Sequence, residues 1–266
     1  GNATWFGNLE FVPQLWGGDD AASFQAAVLA NVPATQNILT FNEPDSAGDG
    51  QATMTPALAA TIWKKYVDPL ADHGIRLGSP ATTGTDSGIQ WLKEFYGNCT
   101  DCQIDFIATH WYGSFQGLAA HLGNLYNVFN GTKMWVTELG IDFATIEDSN
   151  SMFNQTIPWL DNLEWVERYA WFGSFRSSES NIGPNATFMD ANGDLTSMGK
   201  TYLYQVKTAS NATTSSSTTR RSTTRSTATA TSSTSGAMSL ASQRMGSEVM
   251  WFGVVSFASL VLAVVF

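Results

Sequence analysis

Six short apolar runs recur between residues 10 and 175: "EFVPQLWG" (10–17), "NILTFNEP" (37–44), "IRLGSPA" (75–81), "IDFIATHWYG" (104–113), "KMWVTELG" (133–140) and "RYAWFGSF" (168–175). Their length and their content of branched and aromatic residues predict strands. Between them, apolar positions fall at helical spacing over 20–30, 55–73, 87–97, 115–129 and 151–165, with Pro56 placed for a first helical turn. Strand followed by helix, repeated without any internal sequence repeat, predicts a parallel α/β sheet. Each strand run also closes on polar or aromatic residues: Gln14 and Trp16, Asn42 and Glu43, Ser79, His110 and Tyr112, Thr137 and Glu138, Trp171. Chemistry gathered at the C-terminal ends of successive parallel strands is the arrangement of a β/α barrel.

Strand alternation then gives the side chains a direction. Leu39, Phe41 and Glu43 share one face of their run, and Met134, Val136 and Glu138 share one face of theirs. If both faces look inward, Glu43 and Glu138 converge over the mouth of the barrel. Two facing carboxyls suit glycosidic bond cleavage, in which one donates a proton to the leaving oxygen and the other, ionised, attacks C1. Close approach and partial burial would divide the pair into those two states. The other acids, Asp68, Asp72, Glu94, Glu164 and Glu167, fall on predicted helices and read as solvated faces. The "DANGDLTSMG" stretch (190–199) lacks the later bidentate Glu of a calcium loop, and a turn at Asn192-Gly193 is the better reading.

Composition narrows the partners. The 266 residues carry a formal charge of −10 with a pI near 4.6, which disfavours nucleic acid. Three histidines, His73, His110 and His121, form no ligand cluster in the sequence, and neither a Gly-x-Ser-x-Gly elbow nor a phosphate-binding glycine loop is present. No metal or cofactor is expected. Ten tryptophans instead favour sugar, whose C–H faces stack on indole. By alternation Trp111 and Trp135 point outward to the helices, which leaves Trp16 and Trp171 as the subsite candidates. Cys99-Thr-Asp-Cys102 lacks the strand-to-helix setting of a redox motif and reads as a short-loop disulfide of a secreted protein. Asn-x-Thr sequons at Asn2, Asn98, Asn130, Asn154, Asn185 and Asn211 point to the same compartment.

Two breaks in composition set the domains. Residues 1–207 have the texture of a folded domain. Residues 208–235 are nearly all Ser, Thr and Ala and read as a disordered, O-glycosylated stalk. Residues 236–266 combine small residues, a polar spacer and the apolar "VMWFGVVSFASLVLAVVF", the pattern of a glycosylphosphatidylinositol attachment signal. The expectation is a secreted, wall- or surface-located monomer held at the membrane by a lipid anchor.

The motifs "EFVPQLWG", "LTFNEPD", "LGSPA", "CTDCQIDFIATHWYG", "MWVTELG" and "VERYAWFG", in this order, resemble glycoside hydrolase family 128, the fungal Asl1-like glycosyl hydrolases, from about residue 9 to 205. The resemblance implies a retaining (β/α)8 barrel of the TIM type whose acid/base follows strand four and whose nucleophile follows strand seven. Glu43 would then be the acid/base and Glu138 the nucleophile. Asn42 would bond the sugar 2-hydroxyl, and His110, Tyr112 and Trp171 would line the subsite where the bond breaks. The implied substrate is β-1,3-glucan. That numbering leaves six of eight strands, an N-terminally incomplete barrel with "TWFGN" (4–8) as a remnant of the region after strand two. The expected activity is an endo-β-1,3-glucanase of the fungal cell wall. A wall β-glucan-binding protein without turnover is the alternative, and a purely structural wall glycoprotein ranks last.

Overall fold

Hydroxyl side chains set where most helices begin. The structure, a computed structural model, describes residues 10–32, 34–48 and 50–203. Its α-helices are α1 (Ala21–Leu29), α2 (Pro56–Ile62), α3 (Asp86–Asn98), α4 (Phe115–Val128) and α5 (Ile146–Leu160). Thr55, Thr85, Ser114 and Thr145 each accept a first-turn backbone N–H, from Leu58, Gly88, Gly117 and Asp148 respectively. The Thr145 cap explains why α5 starts before the expected 151. The stretch expected as one helix over 55–73 changes form instead: α2 passes into a π-helical turn (Trp63–Val67) and a 3-10 helix (Asp68–His73). Pro69 cannot continue the α-helical ladder, and Gly74, at φ 76°, ends the segment.

The strands are β1 (Asn37–Ile38), β2 (Arg76–Leu77), β3 (Ile107–Tyr112), β4 (Met134–Gly140) and β5 (Val166–Trp171). All named pairings are parallel, β1 with β2 and β3 with β4 and β5. Isolated parallel bridges extend the array: Gln14 to Leu39 on one side of β1, and Gly78 to Phe106 and Thr82 to Thr109 between β2 and β3. The expected first strand, 10–17, is thus an extended segment bonded through Leu15 N–H to Leu39 O and Leu39 N–H to Pro13 O, where Pro13 itself has no N–H to give. The six predicted runs do line up side by side in sequence order.

Two cores flank this array. The larger unites Met134, Val136 and Phe41 with Leu122, Leu125 and Phe153 of the covering helices. The smaller consists of Val12, Leu39, Ala81, Phe106, Ala108 and Trp135, drawn from five neighbouring members of the array. Trp135 therefore does not face the helices as alternation predicts; it lies on the inner face, stacked on Phe106 at 3.9 Å between ring centroids. The inward set of β4 begins at Trp135, so Met134 and Val136 point to the helices.

Charge caps the start of this inner face. The Arg168 guanidinium sits over the Trp135 ring at 4.2 Å and pairs with Glu10 at 2.6 Å, joining the last member of the array to the first. The Arg76 guanidinium sits over Phe106 and pairs with Glu167, which also accepts the Trp135 indole N–H. Burial opposes ionisation of Glu167, but those donors and Arg76 prevail and hold its pKa below the usual value. Glu167, expected on a solvated helix face, belongs to this network.

Cys99 and Cys102 are disulfide-bonded. No helix among the described residues is long and apolar enough to cross a membrane. The expected stalk and apolar tail lie outside the described residues. Arg168→Ala removes an ion pair and a ring contact together, and it should lower stability by about 1–3 kcal/mol in urea unfolding. Glu10→Gln should cost less, because the ring contact survives.

Candidate active site

Each carboxylate stands where its strand loses regularity. Asn42 bridges to Ala81, Glu43 N–H bonds Ala81 O, and Glu43 then takes φ 42°, a left-handed conformation that glutamate rarely adopts. The turn redirects its side chain and lets Pro44 and Asp45 leave the sheet. Asp45 fixes that exit by accepting both the N–H and the hydroxyl of Thr83. On β4 the register shifts between Val136 and Leu139, and on β3 it shifts between Thr109 and His110. Beyond these irregularities His110 stands opposite Glu138. Such bulges re-aim side chains near functional sites.

The result is a tight cluster. His110, 1% exposed, places Nδ1 2.9 Å from Glu43 Oε1 and 3.4 Å from Glu138 Oε2. Tyr112 donates its hydroxyl to Glu138 Oε2 at 2.7 Å. Atoms of Glu43, His110 and Glu138 lie within 4.8 Å of one another, the one such grouping of His and acidic residues among the described residues with metal-ligand reach. These contacts leave both carboxylates engaged with protein donors.

Electrostatics follow from the geometry. Burial alone would depress the His110 pKa, but Glu138, Glu43 and the more distant Asp45 outweigh it and raise it above the ordinary value. Burial and the Glu138 charge push the Tyr112 phenol far up, so it remains a hydrogen-bond donor. Asp142, just past β4, is also raised, by burial and then by Glu43, which places a third acid in the field of the pair.

The remaining predicted residues are placed unevenly. Asn42 directs its amide N–H groups to Gln51 Oε1 and Gly50 O, closing the loop beside the site. Trp16 adjoins it, accepting the Asn42 N–H at its carbonyl, and is 41% exposed. Trp171 is buried. It is 3% exposed, donates its indole N–H to Ala186 O and packs edge-on against Phe153. Trp111 does face the helices, stacked on His121, whose pKa burial lowers to about 4. One aromatic escaped the sequence reading. Phe143 follows Glu138 by five residues, is 76% exposed, and is held at φ 45° with its N–H on Ile182 O. Its place in a loop outside any apolar run gave no signal.

The family described as glycosyl hydrolase catalytic core matches residues 2–202. The chain belongs to this family, with the family 128 Asl1-like enzymes. A curated relative, alkali-sensitive linkage protein 1 of Schizosaccharomyces pombe, is 33% identical over 175 residues, covering 62% of this chain and 32% of the relative. The chain thus spans about a third of that relative's length. Among solved structures, a curdlan-specific exo-β-1,3-glucanase from Blastomyces gilchristii is 34% identical, with TM-score 0.61 and coverage of 73% of this chain and 81% of the other. An endo-β-1,3-glucanase from Lentinula edodes is 26% identical, with TM-score 0.61 and coverage of 73% and 80%. An oligosaccharide-binding family member from Cryptococcus neoformans is 26% identical, with TM-score 0.63 and coverage of 74% and 80%. The α/β fold of parallel strands and covering helices is that of these family 128 proteins.

Because its folded pKa is raised, protonated His110 contributes stability that is fully present below its unfolded value of about 6.5 and is lost as pH rises through the folded one. Stability measured by denaturant titration at a series of pH values should fall over that upper window. His110→Gln should remove this component of the pH dependence.

Proposed function

We propose that this chain is a retaining β-1,3-glucanase that cleaves internal bonds of fungal cell-wall glucan, with the array as part of a (β/α)8 barrel. The observation that carries the reading is the Glu43–His110–Glu138 cluster at the C-terminal ends of parallel strands. Family membership supports glycoside hydrolysis, and the relatives described as β-1,3-glucanases support the substrate class.

In this mechanism the Tyr112 hydrogen bond holds one oxygen of Glu138 and orients the carboxylate. A Glu138 oxygen attacks C1 while the C1–O glycosidic bond breaks and Glu43 gives its proton to the departing oxygen. Glu43 then takes a proton from water as the water attacks C1 and the bond to Glu138 breaks. His110 supplies the proton economy of this cycle. A proton moved across the 2.9 Å contact from Nδ1 to Glu43 converts imidazolium and carboxylate into imidazole and acid without changing the cluster's total charge. Asn42, beside Glu43, would meet the 2-hydroxyl through its amide oxygen, since its N–H groups are held by Gln51 and Gly50.

Trp16 is tied through its carbonyl to Asn42, the neighbour of Glu43, and Phe143 follows Glu138 by five residues; both are exposed. Sugar stacking on both would suit attack within a chain. The Ser/Thr-rich segment and the apolar tail support display at the cell surface through a lipid anchor, with the domain acting as a monomer. The second reading, glucan binding without turnover, draws on the oligosaccharide-binding relative.

Glu138→Gln should abolish reducing-end release from linear β-1,3-glucan, about a thousandfold or more, while laminari-oligosaccharide binding persists in calorimetry. Glu43→Gln should lose polymer hydrolysis yet retain cleavage of aryl glucosides whose leaving group needs no proton. Binding in the wild type with no turnover on either substrate would select the second reading.

A further inference from the structure

Four Asn-x-Thr sequons fall within the described residues, and the fold treats them differently. Asn185 is half-buried, its amide donates to Ala144 O, and the Thr187 hydroxyl is buried on Pro184 O and Met189 O. Asn98 donates to Glu94 O and is followed by the disulfide-bonded Cys99. Asn154 is exposed in the middle of α5, where the backbone is helical and not a turn. Asn130 differs from all three. It is exposed just beyond α4 at φ 54°, and its side-chain amide has no partner among the described residues. Gly131, at φ 75°, returns its N–H to Tyr126 O, and the Thr132 hydroxyl bonds Phe129 O, so the turn is fixed while the amide projects.

Beside it lies an open groove of about 470 Å³ lined by Lys93, Tyr96, Val128, Phe129, Asn130 and Thr132. The Tyr96 and Phe129 rings meet at 4.9 Å and form one apolar wall. We propose that Asn130 carries an N-linked glycan whose first N-acetylglucosamine lies in this groove. The C–H face and acetyl methyl of that sugar suit the aromatic wall, and the Lys93 ammonium suits its hydroxyls. In the transfer, the Asn130 amide nitrogen bonds to C1 of a lipid-diphosphate-linked oligosaccharide and loses a proton, and the lipid diphosphate leaves. Asn130 precedes the first residue of β4, whereas Glu138 stands toward its far end. The seat is therefore on the side away from the carboxylates, where a glycan covers apolar surface without meeting glucan.

The test uses the full chain secreted from a fungal host. Glycopeptide mass spectrometry should find Asn130 occupied and Asn185 bare. Native trimming with endoglycosidase H, which leaves the first sugar, should preserve Tm. Peptide N-glycosidase F, which removes that sugar, should lower Tm by about 2–4 °C. The difference between the two treatments should persist in Asn154→Gln and vanish in Asn130→Gln. A glycan released from Asn130 only after denaturation supports the seat as well. A bare Asn130 in the secreted chain, equal Tm after both treatments although native peptide N-glycosidase F has released the Asn130 glycan, or a difference that survives Asn130→Gln would overturn the proposal.

Discussion

Two carboxylates cannot be brought within 4.8 Å in a largely buried place without something to hold them. Here that something is His110. Its Nδ1 reaches Glu43 and Glu138 together, and its raised pKa records the pull of both. Tyr112 contributes a second donor to Glu138. The cluster is thus a four-residue unit in which neither acid is placed independently of the imidazole.

The fold delivers this unit through controlled irregularity. A regular parallel ladder would carry its alternation unchanged to the strand ends. Instead β3 and β4 shift register just before His110 and Glu138, and Glu43 adopts a left-handed backbone at its strand end. These departures rest on an ordered inner face. The Phe106–Trp135 stack lies in the smaller core, and Arg76 and Arg168 lie over those rings, paired with Glu167 and Glu10. Strain at the functional end is tolerated because packing and ion pairs over-determine the rest.

Much of this was legible in the sequence, and the failures share a cause. The six runs, the helices between them and the disulfide depend on local composition and spacing, which a sequence displays. The pairing of "NEP" with "TELG" was visible because polar residues at the end of an apolar run are unexpected. Period-two alternation nevertheless assigned the wrong face to Met134, Val136 and Trp135, since the bulge that turns Glu138 inward has no composition signature. Trp171 looked like a sugar platform by position, but the chain around Ala186 folds over it and takes its N–H. That contact is nonlocal. Phe143 was missed because its exposure comes from a loop conformation.

Membership in the glycosyl hydrolase family supports glycoside hydrolysis, and relatives of the same fold differ in whether they cut within chains, cut from an end, or bind. The proposed function makes a narrower claim, that the anomeric centre passes through a covalent sugar on Glu138. The most direct measurement is proton NMR of the first products released from a laminari-oligosaccharide, read before mutarotation. Appearance of the β-anomer, retention, is the result this account predicts. Initial release of the α-anomer would contradict it, because an inverting pair attacks C1 with water and forms no covalent sugar on Glu138.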